Sequence, residues 1–69
     1  MRLSARNQLK GTVTNVNEGE AIANVAVEVA GQRLVASITV EAVRELGLHP
    51  GSEVTVVVKA SDVMLAVPD

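Results

Sequence analysis

The chain has no cysteine, no phenylalanine, tyrosine or tryptophan, and only one histidine. Without cysteine there are neither disulfides nor thiolate metal sites, and one imidazole makes no zinc cluster. The missing aromatic rings leave the core to Val, Ala, Leu and Ile, which fill space in small increments. They also remove the platforms on which single-stranded nucleic acids are usually stacked. No apolar run approaches the ~20 residues of a membrane span and no signal-peptide core opens the chain, so a cytoplasmic location is expected. A formal charge of −2 and a pI near 5.2 disfavour a nucleic-acid backbone or an anionic membrane as partner.

What is present is apolar, 48% of 69 residues. A chain of this length makes one domain, residues 1–69, and buries a small share of its surface when it folds alone. Small scaffolds normally need a staple. With disulfides and structural metals gone, self-association remains, and the surplus of apolar side chains leaves surface for another subunit. A multimer is expected.

Hydrophobic alternation places the strands. A first strand begins near Arg6 and has its body in Thr12-Val13-Thr14-Asn15-Val16, and Asn17-Glu18-Gly19-Glu20 supplies a turn. Ala21 to Val29 puts Ala23, Val25, Val27 and Val29 on one face. After the turn Ala30-Gly31-Gln32-Arg33, the stretch Leu34 to Thr39 alternates again. From Val40 the period changes: Val40, Val43, Leu46 and Leu48 are spaced for a short helix, with Thr39 as N-cap and Gly47 as C-terminal stop. Position 42 is Ala, so no capping box closes and the first-turn amides are expected to be free for another acceptor. A turn at His49-Pro50-Gly51-Ser52 leads to a fourth strand, Glu53 to Ala60. Ser61-Asp62 breaks it, and Val63 to Val67 reads as a short fifth strand. The element order is that of a mainly all-β, five-stranded Greek-key barrel of the oligonucleotide/oligosaccharide-binding kind, with one short helix between strands 3 and 4.

Three polar islands interrupt this pattern. Ser4 and Arg6 precede the first strand, Thr39 stands at the helix start, and Lys59 and Ser61 lie at the end of the fourth strand. Two cations and three hydroxyls are donors suited to the oxygens of a small oxyanion. Glu41 and Asp62 adjoin two of the islands and would have to face solvent. Enzyme chemistry has no support: there is no thiol, His49 sits in a turn without a partner, and no phosphate-cradling glycine loop is present.

Ser-Ala-Arg-Asn-Gln-Leu-Lys-Gly at 4–11, Ile38-Thr39 followed by Leu46-Gly47-Leu48, and Val58-Lys59-Ala60-Ser61 with Val63-Met64 resemble the molbindin (Mop) family of molybdate-binding proteins over essentially the whole chain. The resemblance implies a hexamer, a trimer of dimers, that binds molybdate or tungstate at subunit interfaces and needs no cofactor. It assigns Ser4, Arg6 and Lys59 to one wall of the anion site, with Ser61 adjacent, and Thr39 to the facing wall from a neighbouring subunit. It further implies storage or buffering of molybdenum, since the chain is too short for a helix-turn-helix or ATPase portion. Two positions depart from the family pattern: Ala42, where a Ser is common, and Ala21-Ile22-Ala23, where Val-Asn-Ala is common. The second bears on the family's other kind of site, on the symmetry axis.

Two rival readings remain from the sequence. Ile38-Thr39-Val40 through Pro50-Gly51-Ser52-Glu53-Val54 resembles the swapped-hairpin, AbrB-like dimeric DNA-binding domains in the C-terminal half only. A purely structural oligomerisation domain is the other.

Overall fold

The computed structural model describes residues 3–69; Met1 and Arg2, the first two residues of the expected domain, lie outside them. Its order is β1 (Asn7–Glu18), β2 (Ile22–Val29), β3 (Gln32–Thr39), α1 (Val40–Leu46), β4 (Glu53–Val58) and a 3₁₀ turn (Ala60–Asp62). The strands form one antiparallel sheet in the order β3-β2-β1-β4. Mainly-β class, helix position and strand sequence therefore match the reading above.

The long strand β1 organises the sheet because it changes partner along its length. Residues 7 to 12 pair with β4 and residues 12 to 18 with β2, with a bulge between Val13 and Asn15. A bulge bends a strand and increases its twist, which turns the two halves of the sheet towards each other. Val13, Ala23, Val25 and Val27 are buried on the inner face, where Val40 and Val43 of α1 close over them. The face expected of β2 is thus the core face, with Val29 only half-buried at its end. β4 alternates as expected, Val54, Val56 and Val58 half-buried and Glu53, Thr55 and Val57 exposed.

The helix ends as its sequence dictates. Gly47 takes the left-handed conformation (φ 64°, ψ 36°) that a Cβ would penalise, and the Gly47 and Leu48 amides donate to the Arg44 and Val43 carbonyls.

The fifth strand is corrected. β4 stops at Val58, two residues before the expected end, and Lys59 leads into a 3₁₀ turn in which the Asp62 amide donates to the Lys59 carbonyl at 2.9 Å. That turn takes the chain off the line of β4. Residues 63–67 then run without a ladder partner, and Met64 and Leu65 are each 93% exposed. An alternating apolar stretch specifies a strand only where a neighbouring edge supplies the other half of the hydrogen bonds. Among the described residues none does, so β3 and β4 are the two edges of an open sheet.

Candidate functional site

The register brings four of the five candidate residues together. Asn7↔Val58 is the last pair of the β1/β4 ladder. Arg6 and Lys59 follow it directly on the two strands, and Ser4 and Ser61 stand two residues further out on each. All four are solvent exposed. The 3₁₀ turn holds Ser61 beside Lys59, whose own backbone is extended (φ −64°, ψ 135°). Asp62 is exposed as well, as an anion site at this end requires.

Thr39 is not with them. It pairs with Ile22 at the other end of the sheet, next to the Glu18↔Ala23 pair that closes β1/β2. The two sets are separated by nearly the length of β1, up to about 35 Å at a rise of about 3.3 Å per residue, in a molecule whose longest dimension is 37 Å. One chain therefore carries two halves of a donor set at opposite ends.

Thr39 caps α1 as expected: its Oγ1 accepts from the Ala42 amide at 3.0 Å. Accepting that bond leaves the hydroxyl its own hydrogen to donate to another acceptor. The expectation that the first-turn amides stay free is corrected. The Ala42 amide is taken by Thr39, and the Val40 amide donates to the Ala21 carbonyl at 2.8 Å. Thr39→Ala should destabilise the fold by about 1 kcal/mol, and Thr39→Ser much less, because only the serine keeps the oxygen. Urea unfolding of the two variants checks this; equal losses would mean that the cap is not what Thr39 contributes.

Sequence reasoning missed which groups surround Thr39. Glu41, expected to face away from an anion site, instead lines the same hollow as Thr39, together with Glu20 and Glu45, because it stands in the first turn of the helix that Thr39 caps; Arg44 reaches Glu18 at 4.0 Å. The signal was present, since the tight turn at Ala30-Gly31 sets the β2/β3 register. That register carries from Val29↔Gln32 to Ile22↔Thr39 and so puts the β1–β2 turn beside the helix start.

Comparison with known proteins shows the family and the fold. Residues 3–65 match the family described as TOBE domain. The chain is 47% identical over 66 residues to molybdenum-pterin-binding protein 2 of Clostridium pasteurianum, covering 94% of this chain and 97% of that one. In structure it is similar to a molybdate-binding protein from Sporomusa ovata, with TM-score 0.93 and 37% identity over 97% of this chain and all of that one. It is also similar to the cytoplasmic molybdate-binding protein ModG with molybdate bound, with TM-score 0.92 and 46% identity over 99% of this chain and 49% of that one. These likenesses run through both halves of the chain, whereas the swapped-hairpin resemblance is confined to the second.

Proposed function

The chain belongs to the TOBE domain family and within it to the molybdenum-pterin-binding proteins, and from that membership we propose that it binds molybdate or tungstate reversibly at interfaces between copies of itself. The whole chain, 1–69, acts as one domain, in the cytoplasm, as a store and buffer of molybdenum. It works by binding and performs no covalent step. Ser4, Arg6 and Lys59, with Ser61 beside them, form one wall of the site, and Thr39 of a neighbouring copy forms the other. The observation that carries this reading is the separation of the two donor sets at opposite ends of β1, which a second copy reconciles.

Charge supports the same pairing of ends. Arg6 and Lys59 stand at one end, and Glu20, Glu41 and Glu45 surround Thr39 at the other, so an end-to-end approach of two copies is attractive. Apolar surface supports it further. The tail 63–67 is exposed, and separately an apolar groove of about 210 Å³ lies open on the inner side of the sheet between Val25, Val27, Ala36, Leu46 and Val56. Hydrophobic surface on this scale is removed from water by association. The assembly is a homohexamer, a trimer of dimers.

The test is titration calorimetry with molybdate in the presence of excess sulfate, with the native mass determined in the same buffer. Uptake by a particle of six chains is the expected result. A folded multimer that takes up no molybdate would overturn the binding reading, and a monomer that binds would overturn the interface.

A further inference from the structure

The hollow that carries Thr39 holds more carboxylate than hydrogen bonding to an anion calls for. Its volume is about 490 Å³, and Glu20 from the β1–β2 turn and Glu41 and Glu45 from α1 line it together with Thr39 and Arg44. Three carboxylates against one guanidinium leave a formal charge of −2. Arg44 offsets little of it, because its guanidinium already faces Glu18 at 4.0 Å. The three carboxylates are exposed, and none is in a salt bridge among the described residues. Glu18 at the end of β1 adds a further carboxylate on this side.

We propose that Glu20, Glu41 and Glu45 set the affinity of the oxyanion site by repelling the bound dianion through space. The inference rests on the binding reading above, which brings the anion to the Thr39 hydroxyl. In the empty site the same carboxylates face the Arg6 and Lys59 of the neighbouring copy and give those cations a counter-charge. On binding, the anion takes over that role and meets the repulsion. The affinity is therefore held below what the donors alone would produce, and the cargo can leave, as a buffer requires.

Coulomb energy scales with the product of the charges, so the repulsion felt by a dianion is twice that felt by a monoanion of the same shape. Tungstate and perrhenate form such a pair: both are tetrahedral, of nearly equal size, and carry two charges and one. Glutamine keeps the size of glutamate and deletes the charge. Each of Glu20→Gln, Glu41→Gln and Glu45→Gln should tighten tungstate binding about threefold at low ionic strength, and perrhenate binding by about the square root of that factor. The triple variant should compound these gains, and 0.5 M sodium chloride should shrink them.

The experiment is titration of wild type, the single variants and the triple variant with each anion, with native mass recorded throughout. Two-to-one logarithmic gains at unchanged mass carry the proposal. Unchanged or weakened tungstate binding in the variants, or equal gains for both anions, would overturn it while leaving the binding reading intact. A wild type that takes up tungstate no better than buffer would overturn both.

Discussion

Replacing Arg6 with Ala is expected to weaken molybdate binding about a hundredfold, and replacing Lys59 with Ala about tenfold or more, with the fold of the chain unchanged. A net contribution of roughly 1.5–3 kcal/mol per charge-assisted hydrogen bond corresponds to a factor of about 10 to 150 in affinity. Arg6 stands at the upper end, because a planar guanidinium places two parallel N–H bonds on two oxygens of one tetrahedron. Lys59 offers a point charge and falls lower. The fold of the single chain should not change, since both side chains are exposed in it and lie beyond the Asn7↔Val58 pair that ends the ladder. Arg6→Lys should restore the charge and only part of the affinity, because the fork is lost.

Thermal unfolding reads the same interaction independently. A ligand that binds only the folded assembly stabilises it by about 2.7 kcal/mol at a hundred times its Kd, which for a domain of this size raises Tm by about ten degrees or more. Wild type should show that shift with molybdate and Arg6→Ala should lose most of it. An Arg6→Ala protein with wild-type affinity would remove the cationic wall from the site.

Most of the fold was legible because its signals are local. Thr39 and Gly47 bracket α1 with the chemistry that helix ends need, and the Ala30-Gly31 turn fixes the β2/β3 register. The opposition of Arg6 and Lys59 was not local. It depends on β4 returning beside β1 after α1: no hairpin turn joins the two strands, and their register is anchored instead by the long-range bonds of Gly51 and Ser52 to Val13. The tail shows a further limit. Val63 to Val67 alternates as a strand does, but alternation carries no information about whose edge completes the pairing. The residues around Thr39 fall between these cases: Glu41 was seen as its sequence neighbour, whereas Glu20 and Glu45 required the register and the helix turn to be laid side by side.

Gly11→Ala is expected to lower stability by about 2–3 kcal/mol and Tm by ten degrees or more, although an added methyl at a glycine often stabilises through the unfolded chain by about 0.4–1 kcal/mol. Gly11 lies where β1 passes from β4 to β2, and β2 approaches its Cα directly. A Cβ there would stand 2.7 Å from Val27 Cγ1, 2.8 Å from the Glu28 carbonyl oxygen and 2.8 Å from Val29 Cγ2. The two valines are β-branched with restricted χ1, and Val27 is buried, so neither turns aside freely. The Glu28 oxygen belongs to the backbone, and Glu28 is the ladder partner of Thr12. Relief therefore requires β1 and β2 to separate at the point where one strand joins both halves of the sheet. For a domain of this length, with a total stability of only about 3–10 kcal/mol, that loss is a large fraction of the whole. Gly11→Val, with a branched side chain in the same space, should not fold. Urea unfolding at fixed protein concentration measures the alanine variant. A midpoint equal to wild type would mean that β1 and β2 can part there without loss, and that the partner change along β1 is not the rigid joint on which the placement of both donor sets depends.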